Sequence, residues 1–157
     1  MRGGVKDGCR GTILVVDDEA IVRALTQRVL ERQGFDVVLA KDGIEAVELF
    51  ARHCDAIDAV VLDVEMPRMN GVAALAVMRI MRQEVPVILS SGLPPEDIRE
   101  RLAGASATAT LHKPYSPDDL VNALRESRLP VPHAATHPGR ASAGERDGER
   151  LDHAARV

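Results

Sequence analysis

Acidic, hydroxyl and basic side chains stand where the apolar runs of this sequence stop. They are Asp17 and Asp18 after the first run, Asp63 at the end of the third, Ser91 at the end of the fourth and Lys113 after the fifth. Crowded carboxylates repel one another unless a cation neutralises them, and oxygen-only ligands favour a hard divalent ion such as Mg²⁺. A lysine and a hydroxyl beside them suit an incoming anion such as a phosphoryl group. The set therefore fits phosphoryl transfer to a carboxylate, with an oxygen of Asp63 attacking in line.

These side chains can meet only if the strands that carry them run in the same direction. Five apolar runs alternate strictly with five segments of helical periodicity. This alternation predicts an α/β fold in which a five-stranded parallel sheet is covered by helices on both faces. The carboxyl ends of parallel strands share one edge of the sheet, where ligands bind in open α/β folds.

The predicted strands cover 12–16, 35–40, 59–63, 87–91 and 107–112. The predicted helices cover about 19–33, a segment capped by Asp42, about 72–82, 96–103 and a last segment that begins at Ser116 or Pro117. Val22, Leu25 and Val29 lie on one face of the first helix. The predicted inward-facing residues of the second and last helices are Ala46, Val47, Phe50, Leu120, Ala123 and Leu124.

Composition and charge narrow the class of protein. Residues 1–11 predict a flexible leader, 12–128 one folded domain, and 129–157 a disordered tail. Residues 12–128 carry 13 Lys and Arg against 19 Asp and Glu, without a basic stripe, which argues against direct nucleic-acid binding. No apolar run is long enough to span a membrane. Cys9 and Cys54 are too few for a disulfide framework and favour free thiols in a reducing cytoplasm.

The motifs together resemble the receiver domain of two-component response regulators over Thr12 to Arg128. The matching motifs are Val15-Val16-Asp17-Asp18-Glu19, Leu62-Asp63-Val64-Glu65-Met66-Pro67-Arg68-Met69-Asn70-Gly71, Ser90-Ser91-Gly92 and Lys113-Pro114-Tyr115. The resemblance implies a flavodoxin-like, doubly wound sheet in the order 2-1-3-4-5. It also implies a cis bond between Lys113 and Pro114.

The resemblance assigns a role to each site residue. Asp63 is expected to accept a phosphoryl group from a phosphohistidine. Asp18, Asp63 and the backbone carbonyl of Glu65 are expected to hold Mg²⁺ directly, with Asp17 acting through water. Lys113 is expected to bind the phosphoryl group, and Ser91 to move in to contact it.

Two positions depart from the family pattern or vary within it. Thr110 stands where many receivers carry an aromatic residue that reports phosphorylation, so we expect the output change to pass through the Ser91 loop and helix 96–103. Tyr115 follows Pro114 and is expected to pack against the last helix. Glu65 stands at a position that tunes phosphoryl lifetime in the family, where an acid can bind Mg²⁺ through water or repel attacking hydroxide. A solvated loop carboxylate is an equally good interpretation.

The leading interpretation is a stand-alone, chemotaxis-regulator-like phosphoryl-accepting response regulator, a signalling protein rather than an enzyme. The Ser-Gly pair also resembles receivers attached to hybrid sensor kinases. The implied partners are a sensor histidine kinase or histidine phosphotransfer protein and an output protein. The resemblance also allows a homodimer through the fourth helix, fifth strand and fifth helix. An Asp-nucleophile phosphatase and a non-phosphorylated interaction module remain the alternatives.

Overall fold

Five strands and five helices alternate along residues 10–127, the part of the chain that the computed structural model describes. Residues 1–9 and 128–157 lie outside it, so the leader, the tail and the domain boundary at Arg128 stay predictions. The strands are β1 (Thr12–Val16), β2 (Asp36–Ala40), β3 (Ile57–Asp63), β4 (Val87–Ser91) and β5 (Ala109–His112). The helices are α1 (Ala20–Arg32), α2 (Gly43–Arg52), α3 (Gly71–Met81), α4 (Pro95–Leu102) and α5 (Pro117–Glu126).

The strands form one parallel sheet in the order β2-β1-β3-β4-β5. This confirms the predicted fold class and strand order. Because β1 and β3 are neighbours although β2 lies between them in sequence, the chain winds in opposite directions from the centre of the sheet. All five carboxyl ends lie at one edge, and a switch of winding direction at the centre leaves a crevice there.

Two apolar layers cover the faces of the sheet. Residues of β3 alternate between them, since Val60 and Leu62 join one cluster and Ala59 and Val61 join the other. The first cluster includes residues of α2 and α3 and Ile98 of α4, whereas the second includes residues of α1 and α5. Within residues 10–127, no helix is long and apolar enough to cross a membrane.

Local signals in the sequence fix where several helices begin. The Asp42 side chain accepts a hydrogen bond from the Glu45 N–H (2.8 Å), as predicted for the cap of α2. Asn70 caps α3 in the same way through the Ala73 N–H (2.9 Å). Ser116 caps α5, and the Asp119 carboxylate accepts from the Ser116 N–H in return. The predicted inward-facing residues of α2 and α5 are buried, except Val47, which is half-buried.

The buried face of α1 differs from the apolar face that its sequence suggests. Thr26 and Leu30 are buried, whereas Leu25 is 58% exposed. Val22, Leu25 and Val29 instead line an apolar groove between α1 and α5. Leu30 belongs to the core cluster on this face of the sheet and Val29 packs against that cluster, while Thr26 lies near Tyr115, two residues before α5.

The close approach of α3 to the end of β3 leads to a prediction about Gly71. A Cβ at this position would overlap the backbone carbonyl oxygen of Asp63 and lie 2.9 Å from the Cα of Val64. We expect Gly71→Ala to lower the free energy of unfolding by about 1–3 kcal/mol because the backbone must shift. Urea unfolding followed by circular dichroism measures this, and helix propensity alone would favour alanine.

Gly92→Ala is the matched control for this substitution. A Cβ at Gly92 would meet only an oxygen of Glu65, at the ordinary contact distance of 3.7 Å. We expect a change within about 0.5 kcal/mol. Equal stability losses in the two variants would show that the contact of Gly71 with the end of β3 is not a tight one.

Candidate active site at the carboxyl edge of the sheet

Two aspartates lie side by side where β1 and β3 end. Val16 pairs with Leu62, so the residues that follow them along the chain, Asp17 and Asp63, project from neighbouring positions at the carboxyl edge. Both side chains are buried, with 4% and 3% of their surfaces exposed. The Glu19 N–H donates to Oδ1 of Asp17 (2.9 Å), which fixes this carboxylate at the start of α1.

Lys113 lies between these two carboxylates. Its Nζ is 3.1 Å from Oδ2 of Asp17 and 3.3 Å from Oδ1 of Asp63. The Lys113 N–H donates to the Ser91 carbonyl (2.8 Å), which ties the lysine backbone to the end of β4. One partly exposed ammonium therefore faces two buried negative charges. Burial alone would lower the pKa of Lys113, but its interactions with Asp63 and Asp17 outweigh burial and raise that pKa.

The charge of Asp63 is only partly compensated. Burial, followed by the repulsion from Asp17, raises its pKa from 3.8 to about 7, although Lys113 acts in the opposite direction. The buried Oδ1 of Asp63 accepts no hydrogen bond from the described residues, because the approach of Lys113 lacks hydrogen-bond geometry. A carboxylate in this state favours either a proton or a second cation.

Asp18 provides the third carboxylate of the cluster and the one that faces solvent. One oxygen from each of Asp17, Asp18 and Asp63 lies within 4.8 Å of the others. Oxygen ligands at such distances, with an exposed side that water can fill, fit a hard divalent cation such as Mg²⁺. The incompletely paired Asp63 oxygen supports this fit. Both oxygens of Asp17 already accept from protein donors, which leaves Asp18 and Asp63 with more free capacity.

Ser90 and Ser91 end β4 on opposite faces of the sheet. The Ser91 Oγ accepts a hydrogen bond from the Leu93 N–H (2.9 Å), so this hydroxyl is held by its own loop. Ser90 instead pairs in register with Asp63 and lies beside the Tyr115 side chain. Ser91 thus faces the loop that leads to α4, whereas Ser90 faces α1 and α5.

The side chain of Glu65 reaches across the site. Its Oε1 accepts a hydrogen bond from the Gly92 N–H (3.1 Å), which joins the loop after β3 to the loop after β4. None of the roles expected for Glu65 from the sequence includes a hydrogen bond between its side chain and the Gly92 N–H. The expected role of its backbone carbonyl in metal binding stays a prediction.

The other residues singled out from the sequence are placed as follows. Thr110 is exposed on β5. The bond between Lys113 and Pro114 is cis, as expected. Cys54 is a free thiol, and Cys9 lies outside the described residues.

Two further interactions support the site and were not predicted from the sequence. Arg68 adopts a left-handed conformation (φ 68°) and forms an ion pair with the buried Asp42 (2.9 Å), which anchors the loop after β3 to the start of α2. Tyr115 lies beside the hydroxyl groups of Thr26 and Ser90, and burial raises its pKa although these two hydroxyls act in the opposite direction. Tyr115 also packs against the cluster that contains Leu120 of α5, as expected.

Comparisons with known proteins identify a family and several relatives of this chain. The family model "Response regulator receiver domain" matches residues 13–125. The response regulator MprA of Mycobacterium leprae is 38% identical over 115 residues, which are 72% of this chain and 49% of that protein. MprA of Mycolicibacterium vanbaalenii is 39% identical over 72% of this chain and 48% of that protein. The chain thus spans about half the length of these relatives.

Solved structures give the same result. A response regulator receiver domain protein from Clostridium thermocellum has a TM-score of 0.70 and 28% identity, covering 74% of this chain and 93% of that one. A chain of the CheX–CheY–BeF₃–Mg²⁺ complex of Borrelia burgdorferi has a TM-score of 0.68 and 30% identity. The match covers 75% of this chain and 89% of that one.

The raised pKa of Asp63 predicts a specific pH dependence of stability in Mg²⁺-free buffer. The unfolded chain releases the Asp63 proton near its ordinary pKa of 3.8, whereas the folded protein releases it near 7. The stability contributed by this group is therefore complete below about pH 4 and lost as the pH rises to about 7. Asp63→Asn cannot ionise, so it should match the parent protein near pH 4 and exceed its stability by about 2–4 kcal/mol at pH 8.

Urea unfolding of both proteins at several pH values, with EDTA present, measures this difference. Other titrating groups are shared by the two proteins and largely cancel. A stability difference that stays constant from pH 4 to pH 8 would contradict a raised Asp63 pKa.

Proposed function

The chain belongs to the response regulator receiver domain family, and we propose that it accepts a phosphoryl group on Asp63 with Lys113 and Mg²⁺ as electrostatic partners. The family function is phosphoryl-accepting two-component signalling. The observation that carries the residue assignment is the placement of Lys113 Nζ 3.3 Å from a buried, incompletely paired Asp63 oxygen.

In this proposal Asp63 is the nucleophile. An oxygen of its carboxylate attacks the phosphorus of a phosphohistidine in line, forming an acyl-phosphate bond while the bond from phosphorus to the histidine nitrogen breaks. Attack requires the ionised carboxylate, and Lys113 stabilises that form. Lys113 also lies where its ammonium can contact an oxygen of the arriving group, since it is 25% exposed beside Asp63.

Asp18 and Asp63 would hold Mg²⁺ directly, together with the Glu65 backbone carbonyl, and Asp17 would act through water. When bound, this ion neutralises charge on the phosphoryl oxygens and on the carboxylates. Asp17 keeps Lys113 in place through its Oδ2, and the Glu19 N–H keeps Asp17 in place. Ser91 would then contact the phosphoryl group and carry the change to α4.

The proposed partners follow from this chemistry. A sensor histidine kinase or a histidine phosphotransfer protein would supply the phosphoryl group, and an output protein would recognise the phosphorylated form. We include a cytoplasmic location and a homodimer through α4, β5 and α5 as further parts of the proposal. The structure of CheX bound to CheY shows that a relative binds a separate protein in the presence of BeF₃ and Mg²⁺.

Phosphorylation by a small donor tests the acceptor assignment. Incubation with Mg²⁺ and acetyl phosphate should add the mass of one phosphoryl group to the intact protein. Asp63→Asn should show no gain because its amide cannot form the acyl phosphate. A phosphoryl group gained by Asp63→Asn would refute the assignment, and steady turnover of a phosphomonoester would favour a phosphatase instead.

Metal binding is tested by thermal unfolding with and without Mg²⁺. The ion should raise the melting temperature, because it binds the folded site and not the unfolded chain. We expect Asp18→Asn to weaken apparent Mg²⁺ affinity by about tenfold or more, since a direct carboxylate ligand is lost. Glu19→Gln is the matched control, because Glu19 is an exposed neighbouring acid without a side-chain capping bond. Equal losses in both variants would contradict direct ligation by Asp18.

A further inference from the structure

The loop between β4 and α4 contains few groups that can hold it in place. It comprises residues 92–94, and α4 begins at Pro95. Pro94 and Pro95 have no N–H group, so Gly92 and Leu93 provide the only backbone donors between Ser91 and the first turn of α4. Both donors are used, the first by the Glu65 carboxylate (3.1 Å) and the second by the Ser91 hydroxyl (2.9 Å).

These two hydrogen bonds control the position of Ser91. The Leu93 N–H fixes the direction of the Ser91 Oγ, and Gly92 is the next residue along the chain. Ser91 can therefore approach a group on Asp63 only if Gly92 and Leu93 move with it or release it. The bond from Gly92 to Glu65 opposes this movement because Glu65 belongs to the separate loop after β3.

The loop after β3 is the fixed partner of this contact. The ion pair between Arg68 and Asp42 holds it to α2, and its Gly71 N–H donates to the Val64 carbonyl (3.0 Å). Glu65 itself is exposed, so its bond to Gly92 is weak enough to open. The contact thus joins an anchored loop to one that is held by two hydrogen bonds from its backbone.

We propose that Glu65 is a positioning residue whose carboxylate holds the Gly92 N–H, keeps the β4–α4 loop in its unphosphorylated conformation and sets how readily Ser91 moves to Asp63. We call this hydrogen bond the Glu65 latch. The proposal rests on the proposed function, because it concerns the response to a phosphoryl group on Asp63.

Electrostatics link the Glu65 latch to the acceptor. The charge of Glu65 already contributes to the raised pKa of Asp63, so the two carboxylates repel each other in the present state. A phosphoryl group adds negative charge at Asp63 and strengthens that repulsion. Displacement of the Glu65 carboxylate would release Gly92, and the movement reaches α4, whose Ile98 is buried in the core.

Amide hydrogen exchange tests the latch without phosphorylation. In the parent protein the Gly92 N–H should be protected, and Glu65→Ala should raise its exchange rate by about threefold to tenfold, the range for one lost hydrogen bond. Glu65→Gln is the matched variant, because it keeps an oxygen acceptor and removes the charge. It should retain most of the protection. Equal exchange of the Gly92 N–H in all three proteins would overturn the latch.

A titration with beryllofluoride and Mg²⁺, read at the Gly92 and Leu93 NMR signals, tests the effect on switching. Glu65→Ala should reach half-saturation at a concentration about threefold to tenfold lower than Glu65→Gln. Equal values for the two variants would show that only the charge matters and would overturn the proposal. If beryllofluoride and Mg²⁺ shifted no signal of the parent protein, the proposed function would be refuted. Protection of the Gly92 N–H in the exchange experiment would still establish its hydrogen bond to Glu65.

Discussion

The site depends on a buried carboxylate with more negative charge around it than one lysine can balance. Asp63 and Asp17 come together because β1 and β3 are adjacent strands that end in register. Lys113, directly after β5, compensates both carboxylates, yet the pKa of Asp63 remains raised to about 7. Charge that is left uncompensated in this way creates affinity for a cation or for a positively polarised centre such as phosphorus. The same imbalance that lowers the stability of the folded state thus prepares the acceptor for reaction.

The surroundings of Asp63 divide into an anchored half and a movable half. On the anchored side, Gly71 packs directly on the end of β3 and Arg68 forms an ion pair with Asp42. The loop between β3 and α3 therefore has little freedom to move. On the movable side, a short loop without further donors is held by two hydrogen bonds from its own backbone. A rigid acceptor next to a loop held by few hydrogen bonds is the arrangement that a switch requires.

The fold and the strand-end residues could be predicted because they depend on patterns that are local in sequence. Apolar runs ending in Asp17, Asp63 or Lys113 require only the rule that parallel strands share an edge. The contacts of Arg68 with Asp42 and of Glu65 with Gly92 could not be predicted, since each joins two loops whose conformations no periodicity describes. The orientation of α1 was also missed, because Leu25 is as apolar as the buried Leu30. Only the packing against the sheet distinguishes them.

The small free energy of the hydrogen bond between the Gly92 N–H and Glu65 makes this contact better suited to a switch than the packing of the core. Two conformations respond to a ligand only if their free energies differ by a few kcal/mol. A rearrangement that exposed several core side chains would exceed that range, because one fully buried side chain such as Leu89 contributes about 1.5–3 kcal/mol by burial alone. One exposed hydrogen bond contributes about 1 kcal/mol, and a new charge nearby can reverse it. With Thr110 exposed and no aromatic ring at that position, the loop that Glu65 holds offers a route from Asp63 to α4 through the described residues.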